Sequence, residues 1–258
     1  VREIENGEIV VITEQGIESI KPFQNISERP CIFERIYFAS PDSIVGNKTV
    51  YTYRKSLGFE LAKENNISAD VVVPIPDSGV SAALGFSQKS SIPFELGIIR
   101  SHYVGRTFIE PSQTIRQFGV KLKHSVNRSC IEDKRVILID DSIVRGTTAS
   151  KIVKMVYEAG AKEVHLGISC PPIKHPDFYG IDTPNYNELI ASKSNIEEMT
   201  ELVGAKSLFF LSLDGTYKAM GFNERNKELP QFTDHCFTGE YPIDISEILK
   251  INSYNASR

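Results

Sequence analysis

Several things are scarce in this chain, and each scarcity removes a class of function. Positive charge is not in excess: 29 Lys and Arg stand against 33 Asp and Glu, a formal net charge of -4. That leaves no basis for broad electrostatic binding to nucleic acid or to an anionic membrane. Long apolar runs are missing too. Stretches such as Ser207-Leu208-Phe209-Phe210-Leu211 are far shorter than the ~20 residues a membrane span requires. No basic leader followed by an apolar stretch opens the chain, so a secretory signal is not legible. Four cysteines, Cys31, Cys130, Cys170 and Cys236, are too few and too scattered for a disulfide scaffold, which points to a reducing, cytoplasmic setting. Internal repeats and low-complexity tracts are absent. So is an initiator Met: the chain begins Val1-Arg2-Glu3, and its first segment reads as the continuation of a domain lying upstream.

What is present is an ordinary globular composition, 41% hydrophobic and 24% charged over 258 residues. That length holds one large domain, or a domain and a half. Glu8 to Ile12 and Gly16 to Ile20 form a hairpin pattern that needs a domain to lean on. Cys31 to Ala39 is strongly apolar and is stopped by Pro41-Asp42-Ser43. The pattern predicts a helix over Thr52 to Lys63, a strand over Asp70 to Pro76, a helix over Val80 to Ser87 and a strand over Pro93 to Arg100. The nearly continuous apolar run Val71-Val72-Val73-Pro74-Ile75 is typical of a parallel strand covered on both faces. Arg135 to Ile139, a helix over Thr147 to Ala159, Gly160 and Val164 to Ser169 compose a βαβ unit. A helix at Asn195 to Val203, a strand at Ser207 to Leu213 and a short helix at Ser246 to Lys250 complete the expectation.

The sharpest chemical signal is Asp140-Asp141-Ser142-Ile143-Val144-Arg145-Gly146-Thr147-Thr148, directly after a buried strand. Two adjacent carboxylates at a sheet edge are costly without a counter-charge or a polyol. The loop behind them, with Ser142, Gly146, Thr147 and Thr148, opens a helix whose free N–H groups and dipole suit a phosphate. One end therefore wants hydroxyls or a metal ion and the other wants phosphate, the two groups of a ribose 5-phosphate. The bland alternative is a βα turn whose Asp and Thr residues merely cap a helix.

A second loop, Pro76-Asp77-Ser78-Gly79-Val80, follows another buried strand. Gly79 permits a backbone conformation that exposes N–H groups, so this turn is suited to a second phosphate group, with Ser78 a ligand for a metal. An ordinary surface turn has the same composition. Between the two loops, Ser101 to Cys130 carries five basic residues, Arg106, Arg116, Lys121, Lys123 and Arg128, against one acid, Glu110. A connection so long and so basic reads as a lid over a multiply phosphorylated substrate, or as a solvated surface insertion.

Taken together, these residues resemble the type I phosphoribosyltransferases, and more narrowly the synthase half of the phosphoribosylpyrophosphate amidotransferases. The resemblance covers residues 1 to about 245. It rests on Cys31-Ile32-Phe33-Glu34, Tyr37 to Ser43, Val73 to Gly79, Tyr103 to Phe108, Asp140 to Thr148, Tyr179 to Thr183 and Phe237 to Pro242, in order. It implies an α/β, type I phosphoribosyltransferase fold: a mainly parallel sheet flanked by helices, with a small N-terminal β remnant. The implied division is 1–24 as the end of a glutaminase domain plus linker, 25–220 as the phosphoribosyltransferase domain and 221–258 as a tail packing on it. The implied reaction is displacement of pyrophosphate from phosphoribosylpyrophosphate by ammonia, giving 5-phosphoribosylamine, the first step of de novo purine synthesis.

By that resemblance Asp140 and Asp141 face the ribose hydroxyls and, with Ser78, hold Mg²⁺. Ser142, Val144, Arg145, Gly146, Thr147 and Thr148 hold the 5-phosphate, while Asp77, Ser78, Gly79 and Val80 line the pyrophosphate side. Tyr103 and Arg106 belong to a closing loop, Arg106 neutralising the departing pyrophosphate. Purine nucleotides are implied as inhibitors, a homo-oligomer as the assembly, and a glutaminase domain with an N-terminal Cys nucleophile as the ammonia source. Nothing in this chain matches that Cys. Many relatives also hold a [4Fe-4S] cluster on four cysteines. Cys31 and Cys236 fall on two of those positions, but Asp177 and Thr233 occupy the others, so the expectation is no cluster, with Asp177 and His235 completing a site only if it is an unusual one. Two other functions share the sugar-phosphate site: a nucleobase phosphoribosyltransferase and a non-catalytic phosphoribosylpyrophosphate-binding regulator.

Overall fold

The computed structural model describes residues 2, 4–23, 28–100, 124–181, 183 and 185–246. At the N-terminus, β1 (Ile9–Thr13) and β2 (Gly16–Ile20) pair as an antiparallel hairpin, Ile9 opposite Ile20. Nearly all of its residues are exposed, including Ile12 and Ile17 at about three-quarters. The apolar segment that follows enters at Cys31, which bridges Thr233, and winds into a π-helical turn over Glu34–Phe38 that buries Ile32 and Ile36 completely. A two-residue hairpin, β3 (Ile44–Val45) and β4 (Lys48–Thr49), then leads into α1 (Val50–Glu64). Thr49 caps that helix by accepting from the Thr52 N–H.

The core of the molecule is a four-stranded sheet, all parallel, in the order β10-β9-β8-β5. Its strands are β5 (Val71–Pro74), β8 (Arg135–Asp140), β9 (Glu163–Ile168) and β10 (Ser207–Phe210). Successive residues Val71 to Pro74 of β5 and Val136 to Ile139 of β8, pointing to opposite faces, are all buried, as a sheet covered on both sides requires. The cover comes from two packed sets of helices. One set is α1, α2 (Val80–Ser90) and, later in the chain, Leu213–Met220; α2 lies on β5 and β8 and sets Phe86 against Phe209 of β10. The other set is Thr147–Glu158 on β9 and Ile196–Val203 on β10. Where α1 crosses α2 the backbones nearly touch: a side-chain carbon on Gly58 would stand 1.8 Å from the Ala82 carbonyl oxygen, and one on Gly85 would stand 1.8 Å from that of Lys55.

Two sequence expectations change. Pro93 to Arg100 does not join the main sheet along its length. Phe94 makes one bridge to Val72, and only β6 (Ile98–Arg100) pairs, antiparallel to β7 (His124–Val126). The strand expected to reach Leu213 stops at Phe210, because Ser212 accepts from the Gly215 N–H and caps a helix. The short C-terminal helix expected over Ser246 to Lys250 lies outside the described residues beyond Ser246, as do Tyr103, Arg106 and most of the basic stretch. Counting from α2, the helices are α3 (Arg128–Ile131), α4 (Thr147–Glu158), α5 (Ile196–Val203), α6 (Leu213–Met220) and α7 (His235–Thr238).

Candidate active site

Both loops singled out in the sequence leave the same edge of the sheet. The pairing of β5 with β8 continues past Pro74, where the Ile75 N–H donates to the Ile139 carbonyl at 2.9 Å. This brings Pro76-Asp77-Ser78-Gly79 beside Asp140. The Ser78 hydroxyl donates to Asp140 Oδ1 at 3.5 Å, across 62 residues of sequence. Together the loops open onto a cleft of about 660 Å³, whose wall includes Ser78, the whole of Asp140 to Ala149, and the aromatic rings of Phe33, Tyr37 and Phe38.

At the cleft floor the Asp141 N–H donates to Asp140 Oδ1 at 2.9 Å, and the Ser142 hydroxyl donates to Asp141 Oδ1. Asp141 is 5% exposed. Burial, and then the neighbouring Asp141 charge, push the Asp140 carboxyl well above the ordinary carboxylate range. Burial also raises Asp141, opposed by hydrogen bonds from Ser142 and Ser78 and by the charge of Arg54. Such a pair is stabilised by a cation or by donated hydroxyls. Asp140, Asp141 and Ser78 offer oxygen donors only, a set that fits a hard divalent ion such as Mg²⁺, which takes one or two carboxylates and leaves room for substrate oxygens. Among the described residues, no group of three or more His, Cys, Asp or Glu is placed to hold a metal by itself.

Beyond the carboxylates the loop turns through Gly146, in the left-handed region, into α4. No side chain caps α4, so the N–H groups of its first turn have no carbonyl or hydroxyl of their own. Thr147 and Thr148 stand exposed beside them. This end of the cleft is suited to an anion, through groups that are mostly backbone. The Arg145 side chain turns away, pairing with Glu188.

In the second loop Gly79 is needed for a reason the sequence did not reveal. Its φ is -74°, a value any residue adopts, and its N–H donates to the Ile75 carbonyl at 2.9 Å. What excludes a side chain is proximity: a carbon there would lie 2.2 Å from the Ile139 carbonyl oxygen. The peptide between Pro76 and Asp77 is cis, and Asp77 pairs with Arg100 at the cleft margin.

Arg54 is the residue sequence reasoning missed. It is 5% exposed, donates to the carbonyls of Arg35 at 3.3 Å and Ala39 at 2.8 Å, and faces Asp141 electrostatically. With Asp77, Ser78 and Ser81 it lines a second recess continuing from the cleft. Its position three and seven residues before Leu57 and Leu61 puts a cation on the buried stripe of α1, and that was the available signal.

The positions resembling cluster ligands do not fit an iron–sulfur cluster. Asp177 Oδ1 accepts the N–H groups of Tyr179, Gly180 and Ile181, and its Oδ2 lies 2.8 Å from His235 Nε2. The Thr233 hydroxyl donates to the Arg29 carbonyl at 2.7 Å. Burial raises both the Cys31 and the Cys236 thiols, and sulfur stands at only two of the four positions. Asp177 and His235 therefore pair with each other.

The family described as phosphoribosyl transferase domain matches residues 54–179, which include both loops. The amidophosphoribosyltransferase of Rhizobium etli is 58% identical over 248 residues, 94% of this chain and 50% of that protein. The Bacillus subtilis amidophosphoribosyltransferase is 49% identical over 244 residues, 95% of this chain and 51% of that one. A solved structure of the glutamine phosphoribosylpyrophosphate amidotransferase from B. subtilis, complexed with ADP and GMP, matches with a TM-score of 0.86 at 48% identity, covering 96% of this chain and 54% of that chain. The chain spans about half the length of the curated relatives it matches. With both loops on one sheet edge and relatives this similar across almost its whole length, the chain belongs to the amidophosphoribosyltransferase family.

Proposed function

We propose that this chain carries the phosphoribosyl-transfer step of an amidophosphoribosyltransferase: ammonia displaces pyrophosphate at C1 of phosphoribosylpyrophosphate to give 5-phosphoribosylamine. The observation that carries the reading is the adjacent Asp140–Asp141 pair, Asp141 buried, with Ser78 3.5 Å from Asp140 and an uncapped helix N-terminus in the same cleft. In this reading the N–H groups opening α4, with the Thr147 and Thr148 hydroxyls, grip the 5-phosphate. Asp140 and Asp141 bind the ribose hydroxyls and steady the positive character that develops on the sugar as pyrophosphate leaves. Asp77 to Val80 border the pyrophosphate. Ser78, Asp140 and Asp141 are the residues that would hold Mg²⁺, which when bound supplies positive charge to the departing pyrophosphate. Arg54, behind Asp141, holds that carboxylate's charge in check. Tyr103 and Arg106 are assigned to the loop that excludes water from the reaction.

Residues 25–220 are assigned to this transferase domain, 1–24 to the end of a glutaminase domain and 221–258 to a tail. In the whole protein, glutamine is the proposed source of ammonia, the product feeds purine synthesis, and the protein assembles with copies of itself. The B. subtilis relative's complex with ADP and GMP supports purine nucleotides as inhibitors. Four free cysteines suit a reducing cytoplasm. Among the described residues no helix is long and apolar enough to cross a membrane.

The test is pyrophosphate release from phosphoribosylpyrophosphate, Mg²⁺ and ammonium, with no nucleobase added. Turnover is expected, and Asp140→Asn or Asp141→Asn should lower it by about 100-fold or more. Turnover only with an added nucleobase would make the chain a base transferase, and binding without turnover would make it a regulator. Either result overturns the proposal.

A further inference from the structure

A second cleft, of about 690 Å³, shares no lining residue with the candidate active site. At its wall sits Arg35, from the π-helical turn, only 6% exposed. Its guanidinium lies 4.8 Å from the centre of the Phe232 ring and 5.4 Å from that of Tyr53, yet among the described residues its Nε and Nη1 find no acceptor. A buried cation without a counter-charge is costly, and ring faces offset only part of that cost. Among the described residues no carboxylate pairs with it.

The rest of the wall shows what would complete the arrangement. Lys48 brings a second, exposed cation, 5.9 Å from the Tyr53 ring centre, and Glu28 is the one acid lining the cleft. Two of the wall's amides are already spent. Asn226 Oδ1 accepts the N–H groups of Glu228 and Leu229, and Gln231 bonds the Asn226 N–H and the Glu224 carbonyl. The rest of the lining is apolar: Phe222 is exposed and meets Phe232 edge to face at 5.6 Å, while Phe232, Tyr53 and Met220 are buried and border the cleft from behind. Two cations that share the Tyr53 ring beside an aromatic wall are complementary to a small molecule with an anionic head and a flat apolar body.

We propose that this cleft is a binding site for a small aromatic or similarly flat organic anion, with Arg35 and Lys48 holding its phosphate or carboxylate and Tyr53, Phe222 and Phe232 holding its body. The chain's three methionines make the site observable. Met220 lines the cleft, Met199 lies on α5, and Met155 lies on α4, the helix that opens at the phosphate-loop end of the candidate active site. The full chain, labelled with ¹³C at the methionine methyls, is titrated with phenyl phosphate and, separately, with benzyl alcohol as an uncharged counterpart.

The expected result is a saturable shift of the Met220 methyl with phenyl phosphate, with Met155 and Met199 unmoved and a far higher midpoint for benzyl alcohol. Arg35→Leu should raise the phenyl phosphate midpoint by at least about tenfold, and Lys48→Ala by about threefold. The proposal fails if Met220 does not move, if benzyl alcohol matches phenyl phosphate, or if Met155 moves with the same midpoint. It fails equally if the variants bind as the parent does. Lys48 is exposed, so Lys48→Ala and the alcohol comparison decide the matter even if Arg35→Leu does not fold.

Discussion

A methyl group at Gly79 would stand 2.2 Å from the Ile139 carbonyl and 2.8 Å from the Ile75 carbonyl, neither of which can move without disturbing the β5–β8 pairing. Gly79→Ala should therefore destabilise the fold by about 1–3 kcal/mol and shift Ser78 away from Asp140. Urea denaturation together with phosphoribosylpyrophosphate binding checks this; an Ala variant with parental stability and affinity would refute it. At this scale, what was legible was chemistry carried by neighbours in sequence. Asp140, Asp141, Ser142 and the Thr147–Thr148 pair announce a carboxylate-and-phosphate site because the chain itself holds them adjacent. Arg54 was not legible as a site residue, because its partner Asp141 is reached only through the packing of α1. The partnership of Arg145 with Glu188, which leaves the anion-suited end of the cleft to backbone N–H groups, was hidden for the same reason.

Among the elements, those with caps and stops written locally were read closely. Asn195 accepts from the Glu198 N–H, Glu198 bonds back to the Asn195 N–H, and Gly204 ends the helix in the left-handed region. Such a capping box is visible as Asn-x-x-Glu before an apolar pattern. Asn195→Ala should cost about 1 kcal/mol, read as a lower urea midpoint with an unchanged slope. A midpoint equal to the parent's would show that the box contributes nothing. By contrast, the sequence pattern carries the preceding strand to Leu213, the first residue of α6, and assigns nothing to the rest of that helix. Its cap, Ser212, is itself fixed by Glu64 from the end of α1, which accepts from both the Ser212 N–H at 2.8 Å and its hydroxyl at 2.6 Å. A helix start held in place from 148 residues away leaves little trace in a local window.

Among the described residues, three histidines resist protonation. Burial holds His165, His175 and His235 below their ordinary value. The unfolded chain takes up protons near pH ~6.5, where the folded chain still excludes them. Their contribution is thus fully present above that pH and is lost as pH falls through it toward the lower folded values. Asp140 and Asp141, with raised values, act in the opposite sense: the folded state holds protons more tightly, and stability rises as they bind. A comparison isolates one histidine from this background. His165→Asn, at a position that meets Ser207 at 2.8 Å, should lose less stability than the parent between pH 7.5 and 5.5. Urea midpoints at both pH values measure it, and an equal or steeper loss would rule the account out.

The four parallel strands have a last consequence, which concerns time. Every neighbouring pair in the sheet joins segments separated by a helix or more, and β5 meets β8 only after Val71 has found Val136. Loop closure over such a span is entropically expensive and sets slow folding for topologies of this kind. The two halves of the candidate site hang from those two strands, so neither loop has its partner until that closure is made. A nascent or partly folded chain, however helical, has no site to fill, and the proposed grip on a sugar phosphate arrives only with the completed fold.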